Sequence, residues 1–323
     1  MRVAESFTAG AESRLPVYLL TGPTGTGKSD WALHLAEQAP VEIVSVDSAQ
    51  VYRGLDIGTA KPDPSVRERI VHHLVDVCDP RESYSAGRFV GEAIEHITAI
   101  HARGRVPLLV GGTMLYFRAL LQGLAPLPQA SPELRRILDE RAARLGWPAL
   151  HTELARLDPI AAQRIQPQDR QRIQRALEVC LVSGERLSEL QRRSRSPLAG
   201  MRLSVWALAP RERDWLHRRL AGRFHAMMTA GFLEEVRGLH ARGDLSTHHA
   251  SMRAVGYRQL WAHLEGECGL AEAVERGIFA TRQLAKRQLT WMRSENLARC
   301  LDPETDELSW NRDVRRELRE LGL

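Results

Sequence analysis

The sequence predicts an α/β protein in which a parallel sheet is interrupted by an all-helical insertion. Three observations carry this. Residues 22–29 read GPTGTGKS between an apolar run and a helix-like stretch. Apolar runs then alternate with helical periodicity as far as residue 121, and residues 131–195 show helical periodicity without a strand pattern.

Residues 17–20 form the first buried-strand run, and the glycine-rich turn after them leads into a helix over 30–39. The run 43–46 is a second strand, closed by Asp47. A helix over 86–103, a strand over 106–110 and a helix over 114–121 complete the first half of a P-loop NTPase-like core. Pro126, Pro128 and Pro132 then mark a linker. The helical block that follows holds 13 Arg and no Lys against nine Asp and Glu, so most of the formal charge of +5 is gathered there. Residues 203–208 resume the sheet, with helices over 214–228 and 232–241 beyond them. The expected layout is a flexible segment at 1–16, a core of 17–125 and 202–300, a helical insertion at 126–201, and a peripheral charged tail at 301–323.

At 323 residues and 43% hydrophobic, the chain can bury one large core or two modest ones. It has no apolar run long enough for a membrane span and no signal-peptide core near Met1, so it is read as a cytoplasmic protein with no membrane partner. Cys78, Cys180, Cys268 and Cys300 lie far apart without a CxxC pair, which indicates reduced thiols rather than a zinc ribbon or disulfide framework. Only Lys28, Lys61 and Lys286 are lysines among 45 Lys and Arg. Arginine suits RNA through bidentate phosphate bonds and stacking, although a GC-rich genome would produce the same bias.

The chemistry begins at the glycine turn. Gly22, Pro23, Thr24, Gly25, Thr26, Gly27, Lys28 and Ser29 fit GxxxxGK[ST], in which backbone N–H groups and a lysine hold a polyphosphate and the hydroxyl holds Mg²⁺. No Walker B acid follows. The strand 106–110 ends in Gly111, Gly112 and Thr113, and the one acid closing a strand nearby is Asp47. Asp47 reads either as a general base or as a turn cap, and Thr113 as a ligand contact or a helix cap. One of Arg218, Arg219 and Arg223 could clamp phosphates, or all three could form a solvated face. Arg282, Lys286 and Arg293 fall in a narrow arc of one helix. A small-molecule kinase using ATP in the loop and Asp47 as base is the alternative that these residues leave open.

The segments GPTGTGKS, DSAQVYRGLDIGTAKP, GGTMLYFRALLQGL, GFLEEV, RAVGYRQ and TRQLAKRQLTWMR, in order from about residue 17 to 293, resemble the bacterial tRNA dimethylallyltransferases. The resemblance implies transfer of a dimethylallyl group from dimethylallyl diphosphate to N6 of the adenosine 3′ of the anticodon (position 37), with release of pyrophosphate. It implies that Lys28 and the loop amides hold the diphosphate, that Ser29 holds Mg²⁺, and that Asp47, Thr113 and Arg223 are catalytic. It also implies anticodon stem-loop contacts at Asp47, Ser48, Ala49 and Gln50, at Arg135, and at Gln171, Arg172, Ile173, Gln174 and Arg175. Further contacts are implied at Arg253, Ala254, Val255, Gly256, Tyr257 and Arg258, and at Thr281, Arg282, Gln283, Lys286, Arg287 and Gln288. The helical insertion is then a tRNA-binding domain. The eukaryotic relatives add a zinc finger, for which this chain has no Cys/His spacing. A monomer is expected.

Overall fold

The computed structural model describes residues 15–129, 131–295 and 299–322, in two compact units. The segment expected to be flexible lies outside the described residues except for Leu15 and Pro16, and Pro16 already opens a strand.

The first unit comprises the described residues up to 118 and from 200 onward. It starts with β1 (Pro16–Thr21), α1 (Lys28–Ala36), β2 (Val41–Val46), α2 (Pro64–Arg69), β3 (His72–His73), α3 (Ala86–Ala102), β4 (Val106–Gly111) and α4 (Met114–Gln122). The strands β1, β2 and β4 are buried at every position, which is why they read as mainly apolar runs rather than alternating ones, with Glu42 and Ser45 as buried polar residues in β2. The chain passes into the second unit within α4, and that unit consists of α5 (Pro132–Leu145), α6 (Trp147–Leu157), α7 (Pro159–Arg164), α8 (Arg170–Ser183) and α9 (Leu187–Arg192). The first unit then resumes with β5 (Arg202–Leu208), α10 (Arg213–Thr229), α11 (Phe232–Ala241), a 3₁₀ turn at Ser251–Arg253, α12 (Tyr257–Leu264), α13 (Leu270–Ser294), β6 (Arg299–Leu301) and α14 (Glu307–Glu320).

The sheet order is β3-β2-β4-β1-β5-β6 and every pairing is parallel. This order sets β1 beside β4, so the turns leaving their carboxyl ends are neighbours, and β2 brings Asp47 to the same edge. The β2 and β4 backbones approach closely at that edge. A Cβ on Gly111 would lie 2.1 Å from the Val46 carbonyl oxygen, so a side chain there would force the two strands apart.

The C-terminal segment is not peripheral, contrary to expectation. Trp310, Val314 and Leu318 of α14 are buried in the same cluster as Tyr18, Leu20, Trp31, Leu35, Trp206 and Leu208. Trp310 stands 5.4 Å from the Trp31 ring and 5.9 Å from the Trp206 ring. These three residues recur every fourth position among charged ones, so a single apolar stripe docks a helix that is otherwise polar. The strands β3 and β6 were not anticipated either; at two and three residues they carry no alternating pattern and exist through pairing with β2 and β5.

The second unit spans 119–199 rather than the expected 126–201. Its own core joins Leu138, Leu150, Leu154, Ile173, Leu177 and Leu190. Its helices start on side-chain caps: Ser131 accepts from the Leu134 N–H, Asp158 from Ala161 and Asp169 from Arg172. Its two ends meet, with the Ser196 hydroxyl donating to the Leu120 carbonyl at 2.8 Å. Glu178 is fully buried, and burial alone would raise its pKa. Hydrogen bonds from Arg135 and Arg175 outweigh that and hold the carboxyl below its ordinary value.

Candidate active site

At the carboxyl edge of the sheet the first unit opens a cleft of about 1060 Å³. It is lined by the glycine turn (Thr24, Gly25, Gly27, Lys28, Ser29), by Asp47 to Gln50 after β2, by Gly111 to Met114 after β4, and by Arg219 and Arg223 of α10. Leu284, Arg287, Gln288 and Trp291 of α13 form another wall. Ile57, Met227 and Val255 add apolar surface. The sequence-selected phosphate loop, the strand-end acid and the GGT turn therefore converge on one site.

The loop is shaped for an anion. Gly27 caps α1 in the left-handed region (φ 86°), aiming the first N–H groups of the helix outward. Thr26 donates to the Pro23 carbonyl at 2.9 Å, and Lys28 Nζ donates to the same oxygen at 2.8 Å. Burial first, and then the nearby Arg223 cation, push the Lys28 pKa down to about 7 against the pull of Asp47. Burial likewise lowers the Arg223 pKa, with Asp47 opposing. Two desolvated cations beside one carboxylate leave the cleft in need of a polyanion. The three arginines of α10 separate accordingly. Arg223 is half-buried in the cleft, Arg219 lies over the Trp215 ring at 5.4 Å and also lines the cleft, and Arg218 does not line it.

Asp47 Oδ1 accepts the N–H groups of Ala49 at 2.8 Å and Gln50 at 3.2 Å. Oδ1 therefore caps the turn, while Oδ2 makes no hydrogen bond among the described residues, so the base reading stays open. Thr113 Oγ1 accepts from Ser48 N–H at 2.9 Å and donates to Ser48 Oγ at 3.3 Å, tying the β4 turn to the Asp47 turn. Gln50 is engaged internally: its Oε1 accepts from Ser45, and its Nε2 donates to the carbonyls of Thr59 and Ala60.

The residues expected to touch RNA divide into two groups. Gln171, Arg172, Arg253, Arg258, Lys286 and Arg287 are exposed, and Ser48, Ala49, Ala254, Val255 and Arg287 line or border the cleft. Gly256 and Ile173 are buried and do not line the cleft, which corrects their placement on an RNA-facing surface, whereas Tyr257 and Gln288 are buried but line the cleft. Ile173 belongs to the helical core, because it falls on the apolar stripe of α8. Arg135 and Arg175 hold Glu178, and Gln174 donates to Asp139. Thr281 donates to its own helix at Gly277, while Arg282 and Gln283 are partly exposed. The stripe of Arg282, Lys286 and Arg293 lies about 140° around α13 from Gln288, away from the cleft wall.

Glu235 was missed by sequence reasoning as a separate element of the site. It accepts N–H groups of Asp56, Ile57 and Gly58 at 3.1, 2.6 and 3.2 Å and the Tyr257 hydroxyl at 2.5 Å, fixing the loop that forms one cleft wall. Its segment, GFLEEV, was noticed, but its partners are 177 to 179 residues away or fold in from α12.

The IPP transferase family model matches residues 50–295. The chain belongs to that family. An isopentenyl transferase model also matches residues 15–72, across the phosphate loop and Asp47. Among IPP transferase relatives, the tRNA dimethylallyltransferases of Nitrosococcus oceani and Methylococcus capsulatus are each 56% identical, over 90% and 91% of this chain and 93% and 94% of theirs. The structure of the full-length tRNA isopentenylpyrophosphate transferase of Bacillus halodurans aligns with a TM-score of 0.69 at 34% identity, covering 96% of this chain and 98% of that one. A eukaryotic dimethylallyltransferase acting on tRNA aligns with a TM-score of 0.79 at 27% identity, over 94% of this chain and 77% of that chain. This family member is an enzyme, a prenyltransferase, and no helix among its described residues is long and apolar enough to cross a membrane.

Proposed function

We propose that the cleft joins dimethylallyl diphosphate to the exocyclic N6 amine of the adenosine immediately 3′ of the anticodon in tRNA. The observation that carries this is the convergence of Lys28, Arg223 and Asp47 in a cleft whose β4 ends in Gly-Gly-Thr rather than in a Walker B acid. A donor with a diphosphate leaving group needs the loop but has no γ-phosphate to transfer. The apolar surface of Ile57, Met227 and Val255 suits a five-carbon chain.

In this reaction the N6 nitrogen attacks C1 of the donor while the C1–O bond breaks. Asp47 Oδ2 takes the N6 proton, so the amine does not remain cationic. Lys28, Arg223 and the loop N–H groups balance the charge gathering on the departing pyrophosphate. Thr113 sets the spacing between the two halves through its bonds to Ser48. Among the described residues no group of three His, Cys, Asp or Glu side chains could hold a metal ion. Ser29, exposed at the start of α1 beside Lys28, fits as a protein ligand of Mg²⁺, and the ion would supply further neutralisation of the diphosphate.

The target base must leave its stack to reach N6, which accounts for exposed arginines such as Arg253, Arg258 and Arg287 near a deep cleft. Purified protein, unmodified tRNA and either dimethylallyl diphosphate or ATP, followed by nucleoside mass analysis, tests the reading. A mass gain of one dimethylallyl group on adenosine is expected. Product formed only with ATP would return the cleft to the kinase reading.

A further inference from the structure

We infer that Gln288 is a positioning residue of the transfer reaction, locking the phosphate loop to the Gly-Gly-Thr turn from the α13 side. The inference rests on the proposed reaction. Its side chain is 7% exposed and makes two hydrogen bonds to two separate turns. Oε1 accepts the Thr24 N–H at 2.9 Å, and Nε2 donates to the Gly112 carbonyl at 2.7 Å. The two partners determine the orientation of the amide. Thr24 N–H can only donate and Gly112 O can only accept, so a flipped amide would lose both bonds.

The fit is tight as well as polar. A Cβ on Gly112 would lie 2.5 Å from Gln288 Nε2 and 3.2 Å from the Gly22 carbonyl, so the amide fills the space between the β1 and β4 turns. Among the described residues no other side chain hydrogen-bonds both turns. The consequence follows from where these turns lead. Thr24 belongs to the loop that carries Lys28, and Gly112 is followed by Thr113, which is bonded to the turn of Asp47. A single amide thereby ties the groups that hold the leaving diphosphate to those that hold the base. A displacement of an ångström between them would misalign attack on C1.

The position on the helix supports an internal role. Ala285, Gln288 and Met292 fall within an arc of about 60° on the buried face of α13. Gln288 is the polar member of that apolar stripe. Gln288 lines the cleft, but both polar ends of its amide are taken up by Thr24 and Gly112, unlike the exposed Lys286 and Arg287.

The test compares Gln288→Met, which keeps length but removes both bonds, with Gln288→Glu, which keeps size and the acceptor for Thr24 but cannot donate to Gly112. Four quantities are measured: donor affinity, tRNA affinity with its salt dependence, the single-turnover rate at saturating donor and tRNA, and thermal stability. Positioning predicts that Gln288→Met weakens donor binding and lowers the saturated rate, each by about tenfold, in keeping with the loss of buried hydrogen bonds. The tRNA affinity and its salt slope should stay within about twofold of wild type. The Glu variant sets a carboxylate oxygen against the Gly112 carbonyl, so it should lose some thermal stability and also lose rate at saturation, because the Gly112 side is released. A saturated rate within a few-fold of wild type in both variants, even with lower thermal stability, would reduce Gln288 to a structural support and overturn the inference. A selective loss of tRNA affinity with a shallower salt slope would overturn it in favour of an RNA contact. Failure of the wild-type protein to prenylate tRNA would instead refute the proposed reaction, leaving the two failures distinguishable.

Discussion

Lys28 concentrates the tension of the site at the scale of one residue. Its ammonium is desolvated, sits near Arg223 and, among the described residues, donates a hydrogen bond only to the Pro23 carbonyl. Its pKa is lowered from 10.5 to about 7 in the folded protein, so the unfolded chain binds the proton more readily between those values. The destabilisation is fully present below about pH 7 and declines as pH rises towards the ordinary lysine value. Lys28→Met should therefore raise the melting temperature, and by more at pH 6 than at pH 9, while nearly abolishing donor binding and sparing tRNA affinity. Thermal melts at the two pH values check the sign; equal or negative shifts would show that Lys28 carries no such cost. Asp47 is tested separately. Asp47→Asn retains an oxygen for the Ala49 and Gln50 N–H groups, so the turn should survive, but an amide is a very poor base. Single-turnover prenylation should fall by a factor on the order of a hundred with tRNA affinity little changed, and a rate within a few-fold of wild type would remove Asp47 from the mechanism.

At the scale of the element, α11 shows what fixes the cleft wall. Glu235 satisfies three consecutive N–H groups of a loop that has no strand or helix to satisfy them, and Tyr257 closes the set from α12. Burial and the Glu235 carboxylate both raise the Tyr257 pKa, keeping the hydroxyl protonated as a donor. Glu235→Ala should destabilise the protein by about 2–3 kcal/mol, the range for several backbone groups losing a charged acceptor, and should lower activity through the displaced Ile57 and Gly58. Urea unfolding measures the first effect and steady-state prenylation the second; unchanged stability would mean that water replaces the carboxylate at no cost. The contrast with Lys28 shows which parts of the site were legible. The phosphate loop and Asp47 lie within contiguous motifs whose strand and helix flanks are readable as periodicity. Glu235 and Gln288 act on loops about 180 and 260 residues away, and a sequence pattern carries no record of which turn will arrive beside them. Gln288 did leave one trace, a polar residue in register with Ala285 and Met292 on an apolar stripe.

At the scale of the molecule, β1, β2 and β4 were readable because they are buried at every position, and β5 because its last three residues are buried and apolar. The edges of the sheet and its last helix were not, since short strands take their definition from neighbours and α14 is mostly charged. That helix nevertheless completes the core: Trp310 is 2% exposed, and Arg202 reaches Glu317 at 2.7 Å to pin its far end. Trp310→Ala should thus cost about 3–5 kcal/mol, the penalty for emptying an aromatic site, although the residue lies in a segment that looks expendable by composition. The two units have separate apolar clusters, one containing Trp310 and the other Leu177. If each cluster unfolds with its own unit, Trp310→Ala should lower the transition reported by donor protection of the loop, and Leu177→Ala should lower a second transition insensitive to donor. Calorimetry with and without donor separates these outcomes. A single transition shifted equally by both substitutions would show that the 119–199 unit and the sheet unfold together, and a Trp310→Ala protein as stable as wild type would return the last helix to the periphery.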